Sequence, residues 1–331
     1  MRVRLFEDFK VNLRRASPLL VIRFIIAIVL LLPAWIWVLI GSILRSWKWR
    51  RQKTYRKFLD RHRLAFLDID EESLNVRPVK GGLSNLNLIW FCRTYSGEER
   101  KYFVKLFLPL GTFWAAVSSW VTPYPQVYGI RSSQRFTTDM VSRAQLADSD
   151  VSVPKLIAFD ARAKMMVAEY IEGEPVDNLL RSVGERGSAT DEEVEAVRQC
   201  GVGVGKVHAA GFSMLDVEPS NCMWVSGQNL VYFIDLEYCT REDRRAWDIG
   251  YFFCSLTTLL PESIAKKMKK VFLEGYSSHY EPDWIQVEET SRLLEEYLPF
   301  FRTILDIRKY SPEEIFEEVF MELFHPGIKR N

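Results

Sequence analysis

Lys105, Asp216, Asn221 and Asp235 occur in the order, and near the spacings, that phosphoryl transfer from a nucleoside triphosphate requires. Asp216-Val-Glu-Pro-Ser-Asn221 puts a carboxylate and an amide on one loop, and the apolar run Leu230-Val-Tyr-Phe-Ile ends on a second carboxylate, Asp235. Such a transfer asks little covalent chemistry of a protein. It needs a carboxylate to orient and deprotonate the acceptor hydroxyl, oxygen ligands for Mg²⁺, and a cation on the phosphates. Asp216 is the candidate base, Asn221 and Asp235 the candidate Mg²⁺ ligands, and Lys105 the candidate phosphate cation. Singly, a loop Asp is usually only a turn former. The constellation points to a kinase-like phosphotransferase.

Other residues complete a nucleotide site. In Gly81-Gly82-Leu-Ser84-Asn85, between two strand-like segments, glycines let backbone N–H groups approach phosphate oxygens closely. Lys105 lies among apolar residues in Tyr-Phe-Val-Lys-Leu-Phe-Leu, where a lysine is costly without an anionic partner, or else points out from a half-exposed sheet. The candidate partner is Asp139, in Arg135-Phe-Thr-Thr-Asp-Met-Val-Ser-Arg143, with Asp148 and Asp150 as rivals nearer a helix end. In a kinase-like fold the backbone groups at Glu169–Ile171 would meet the adenine edge; otherwise they form an ordinary strand end. His208 reads as a structural tie between a helix end and the Asp216 loop, and Asp248 as an acceptor for backbone. Gly201-Val-Gly-Val-Gly-Lys206 mimics a phosphate loop, but it falls inside a helical pattern and lacks the following Ser or Thr. Close helix packing is the better account.

The elements that must hold these residues follow from hydrophobic period. Residues 86–95 and 101–108 read as strands joined by a turn at 96–99, residues 134–148 as a helix, and 155–159 and 165–170 as two more strands. Thr190-Asp-Glu-Glu193 is a capping box that opens a helix ending at Gly211. Short strands follow at 222–225 and 230–234, and beyond Trp247 the chain reads as helices broken near Pro261, Pro282 and Ser311. The expected fold is α+β and two-lobed, with a small β-rich lobe over 73–172 and a helical lobe over 173–331.

The net charge of +1 conceals an asymmetry: residues 1–63 carry 15 Lys and Arg against 3 Asp and Glu, and the rest 29 against 40. A basic arm (1–23) and a basic, helical connector (45–72) flank Phe24–Leu44, an uncharged run of 21 residues. At 1.5 Å per residue this run spans about 30 Å, the thickness of a bilayer core. It lacks the small-residue cleavage site of a signal peptide. The more basic C-terminal flank places the large domain in the cytoplasm, through a single span or, given Pro33 and the basic N-terminal flank, a shallow hairpin. The run from Gly111 to Val121 either faces the membrane or packs across the small lobe. A basic arm on an acidic domain suits membrane lipids and argues against nucleic acid. The five cysteines form no C-x-x-C pair, which excludes a zinc site of that type and suits buried reduced thiols.

Ile234-Asp-Leu-Glu-Tyr238 followed by Trp247-Asp-Ile-Gly-Tyr-Phe-Phe253 resembles a block of the choline/ethanolamine kinases and aminoglycoside phosphotransferases, and Gly81–Asn85 resembles their nucleotide loop. Val151–Gly173, with the spacing from His208 to Asp216, also resembles the atypical kinases of the KEOPS complex and the lipopolysaccharide core kinases. The similarity covers residues 75–280, and no single family fits throughout. It implies a protein-kinase-like fold, ATP with Mg²⁺, and Asp216 and Asp235 as essential carboxylates. Two departures stand out. These families usually carry His-Gly-Asp or His-Asn-Asp where this chain has Met214-Leu-Asp216, and Asp139 stands for the usual Glu. The short interval from Asp235 to Asp248 leaves no long activation loop there. The leading expectation is a membrane-tethered kinase acting on a hydroxyl of a lipid, head group or surface-polymer precursor. An atypical protein kinase and a catalytically idle nucleotide-binding regulator are the rivals.

Overall fold

The computed structural model describes residues 69–79, 85–109 and 131–295. They fall into two compact units, one holding residues 69–109 with Arg131 and Ser132, the other holding residues 133–295. The expected arm (1–23), the apolar run 24–44, most of the connector, the run 111–121 and the chain beyond 295 lie outside the described residues, as do Gly81, Gly82 and Ser84. No helix among the described residues is long and apolar enough to cross a membrane.

The first unit contains an antiparallel sheet of β1 (Ile69–Pro78), β2 (Asn85–Thr94) and β3 (Glu99–Phe107), in that order. Alternation builds β2: Leu86, Leu88, Trp90 and Cys92 are buried, while Ile89 and Phe91 on the other face are half-buried. The expected turn closes β2 to β3. Gly97 takes φ +90°, a region that glycine enters without steric cost, and its N–H reaches the Thr94 carbonyl. β1 begins inside the stretch assigned to the connector, so the helical expectation for 69–72 is corrected. Its sequence, IDEESLNVRP, lacks clean alternation because a bulge between Asp70 and Asn75 shifts the register. Ser73 stitches that bulge, its Oγ accepting from the Arg93 N–H at 2.7 Å.

α1 (Ser132–Ala147), all but its first residue in the second unit, precedes that unit's antiparallel hairpin β4 (Leu156–Asp160) and β5 (Met165–Glu169). The two-residue β6 (Glu174–Pro175) leads into α2 (Val176–Arg186) and α3 (Asp191–Ala209). β7 (Cys222–Val225) and β8 (Leu230–Phe233) form a hairpin whose outer neighbour is β6. Helices α4 (Arg245–Leu259), α5 (Glu262–Tyr276) and α6 (Trp284–Glu295) follow, with Pro261 and Pro282 at the expected breaks.

The capping box forms as read: Thr190 Oγ1 accepts from the Glu193 N–H, and the Glu193 carboxylate accepts from the Thr190 N–H at 2.7 Å. The glycine run in α3 is a packing seam. A Cβ on Gly201 would lie 2.0 Å from the Phe272 carbonyl oxygen, and one on Gly275 of α5 would lie 2.1 Å from that of Arg198. The backbones of α3 and α5 therefore touch, over a core that includes Val197, Cys200, Phe252 and Phe272. All five cysteines are buried and none is in a disulfide.

Candidate active site

Asp216 lies on the loop that follows α3, and Asn221 ends a 3₁₀ turn, Pro219–Asn221. Asn221 Nδ2 donates to the Asp216 carbonyl at 3.0 Å and to Asp216 Oδ2 at 3.2 Å. Those bonds orient the carboxylate. They also occupy the amide nitrogen, leaving the amide oxygen as the atom for a cation. The Ile234 N–H donates to the Asn221 carbonyl at 3.0 Å, one rung beyond the Cys222–Phe233 pair of the β7–β8 ladder. Asp235 is the next residue. Asp216, Asn221 and Asp235 thus lie along the chain at one end of this hairpin.

Helix α4 fixes the Asp216 loop. Asp248, fully buried, accepts from the Met214 N–H at 2.6 Å and the Leu215 N–H at 2.7 Å, the backbone role expected of it. His208 Nε2 pairs with the same carboxylate at 2.9 Å, and its Nδ1 with the Tyr276 hydroxyl at 2.7 Å. His208 is therefore the expected tie between helix end and loop. Trp247 Nε1 donates to the Leu215 carbonyl, and the Tyr251 hydroxyl donates to buried Glu218 at 2.5 Å. Leu215 takes φ +68°, a conformation that costs a non-glycine residue roughly 1–2 kcal/mol. This strain falls where the resembling families carry Gly or Asn. Three bonds from α4 bracket it and hold it in place.

Helix α1 reaches the Asp235 segment. Asp139 is fully buried, and the Arg143 guanidinium bonds its Oδ1 through Nε at 3.1 Å and through an Nη at 2.7 Å. The sequence offered Lys105 as its partner and did not foresee Arg143. The same guanidinium donates to the carbonyls of Pro154, at 3.2 Å, and Ile234, at 3.1 Å. Two turns earlier on α1, Arg135 meets Glu237 at 3.0 Å in a buried ion pair. Burial opposes the Arg135 charge, yet Glu237, Tyr238 and Asp235 together hold its pKa above the ordinary arginine value. Burial, reinforced by Glu237, pushes the Tyr238 hydroxyl well up. Of the rivals to Asp139, Asp150 is an exposed residue bonded to Lys206, and Asp148 is exposed.

In the first unit Lys105 is 2% exposed, which removes the solvent-facing reading. It stands opposite Asn87 across β2 and β3, with its Nζ 4.6 Å from the Phe107 ring centroid. Asn85 opens β2 and is buried. Back in the second unit, Glu169 closes β5, where its N–H is taken by the Lys155 carbonyl at 2.8 Å and its side chain accepts from the Lys155 N–H. Of the backbone groups expected to meet an adenine edge, the Glu169 N–H is thus already engaged within the β4–β5 pairing.

Among the described residues no three His, Cys, Asp or Glu side chains group as a metal site. One amide oxygen and one carboxylate nonetheless suit Mg²⁺, which binds few protein ligands and takes the rest from phosphate and water. Arg135, Arg143, Glu237 and Tyr251 were not singled out from sequence. The available signal was charge at positions 135, 139 and 143 of a helix, which lie on one face.

No protein-family model matches the chain. It is similar to the KEOPS complex subunit Bud32 of Pyrococcus abyssi (strain GE5 / Orsay), at 33% identity over 93 residues. That stretch is 28% of this chain and 39% of Bud32, so the match spans well under half of the relative. Among solved structures, WaaP in complex with acyl carrier protein is similar at a TM-score of 0.41 and 15% identity, covering 72% of this chain and 91% of that one. The likeness to Bud32 supports the protein-kinase-like superfamily.

Proposed function

We propose that the chain is a membrane-anchored, Mg²⁺-dependent kinase that transfers the γ-phosphoryl of ATP to a hydroxyl of a lipid, a head group or a surface-polymer precursor. The observation that carries the phosphotransferase part is Asn221, bonded by its side chain to Asp216 and by its backbone to the residue before Asp235. In this reading Asp216 takes the proton of the acceptor hydroxyl, its carboxylate oriented by the Asn221 amide. Asn221 and Asp235 hold Mg²⁺, which neutralises phosphate charge. Lys105 faces the phosphates, with Asp139 as the carboxylate expected to steady it. The Gly81–Asn85 segment cradles the triphosphate, and Glu169 and Ile171 meet adenine through their backbones. The anchor rests on the apolar run 24–44 and its basic flanks, with the catalytic part on the cytoplasmic side. Tethering raises the local concentration of membrane-borne acceptors, which favours the lipid class.

A second reading, which follows the resemblance of Val151–Gly173 to the KEOPS-type atypical kinases, makes the acceptor a protein. Incubating the full chain and membrane extract with γ-labelled ATP, then separating lipid and protein fractions, distinguishes the two. Label in lipid or head group supports the first reading, and label in protein the second. Measurable ATP binding without transfer to either would instead make the chain an idle nucleotide-binding module.

A further inference from the structure

Residues 135, 139 and 143 of α1 are spaced four apart, so their side chains climb one face of the helix over about 12 Å. Each of the two arginines ends on the short segment that carries Asp235. Arg143 donates to the carbonyl of Ile234, the residue before it, while Asp139 and the Pro154 carbonyl hold the same guanidinium in place. Arg135 grips the carboxylate of Glu237, two residues after it. The Glu237 N–H in turn donates to Asp235 Oδ1 at 3.3 Å. Asp235 is therefore bracketed by guanidinium contacts from one helix, and its own side chain is tied to one bracketed residue. Both arginines are almost fully buried, so these contacts are little screened by solvent.

We infer that Arg135 and Arg143 form a clamp by which helix α1 sets the position of Asp235, making them positioning residues for the Mg²⁺ ligand. The inference rests on the phosphotransferase reading for its consequence, though not for its geometry. A carboxylate that must meet a small, rigid octahedral ion tolerates little displacement, and residues that orient metal ligands commonly alter affinity 10- to 100-fold when changed. A displacement of α1 would then reach the metal ligand through two charged contacts.

The test uses two variants of the full chain and two readouts. Arg135→Met with Glu237→Gln removes both members of one buried pair, so no lone charge is left to unfold the protein, and Arg143→Lys shortens the other contact while keeping its charge. Hydrogen–deuterium exchange without nucleotide or metal reads the clamp itself. Amides of residues 234–237 should exchange at least several-fold faster in both variants, while Met214 and Leu215 remain as protected as in the parent. Mn²⁺ titration by electron paramagnetic resonance, with ATP present, reads the consequence: a roughly tenfold or greater loss of affinity in both variants. Unchanged exchange at 234–237 in either variant, or loosening of 214–215 to the same degree, would overturn the clamp. If exchange rises but Mn²⁺ binding is unaffected by the clamp variants, Asp235→Asn decides where the fault lies. Loss of affinity in Asp235→Asn alone rejects the positioning role; no loss there either shows that Asp235 does not hold the metal, and the phosphotransferase reading fails instead.

Discussion

The loop that carries Asp216 and the segment that carries Asp235 meet at one end of the β7–β8 hairpin, yet they are fixed by different chemistry. α4 holds the first through a buried carboxylate that accepts two backbone N–H groups, aided by an indole N–H. α1 holds the second through guanidinium groups that grip a carbonyl and a carboxylate. The Asp216 loop contains a residue at positive φ and is bonded backbone to side chain on either side of it, so its shape is set locally and tightly. The Asp235 segment hangs from long side chains rooted on a separate helix. Asp216, the proposed base, is thus built into the α4 scaffold, whereas the segment of Asp235, the proposed metal ligand, is held from α1.

That contrast can be broken at several points. Asp216→Asn should reduce transfer by roughly 10²- to 10⁴-fold in a single-turnover assay, with nucleotide affinity and metal dependence preserved. A weakened metal response in that variant would mean the two sides are not separable. Asp248→Ala leaves two buried N–H groups and His208 without their acceptor, and should cost about 3–5 kcal/mol in a denaturant titration. Its exchange signature should appear at 214–216 before 234–237. Gly203→Ala tests the other side: the added Cβ would sit 2.5 Å from the Phe233 ring, two residues before Asp235. Overpacking of that kind costs about 1–3 kcal/mol, and here it should loosen 230–237 while sparing Met214 and Leu215. Thr190→Ala, remote from both, should lower stability by about 1 kcal/mol through loss of the helix cap and change neither pattern.

Much of this was legible in the sequence because the signals are local. The capping box at Thr190 and Glu193, the alternation of β2, the turn at Gly97 and the interval from Asp216 to Asn221 each depend on residues within a few positions. Asp235 was found because an apolar strand runs directly into it. The arginine contacts were not, because Arg135 and Glu237 lie 102 positions apart and nothing near either one names the other. The sequence singled out Asp139 on this helix but not the arginines four residues to either side, and only burial shows the three to form a polar seam. β1 was missed for a different reason: its bulge breaks the period by which strands are recognised. Met214 stands where the resembling families carry a histidine, and here the loop is held by Asp248 and Trp247 of α4.

The proposed division between Asp216 as base and Asp235 as metal ligand is tested most directly by titrating Mg²⁺ into the full chain with ATP, following calorimetric heats for the parent protein, Asp216→Asn and Asp235→Asn. The parent and Asp216→Asn should bind ATP with the same steep dependence on Mg²⁺, and Asp235→Asn should lose that dependence while staying folded. Identical titrations for all three proteins would contradict the account.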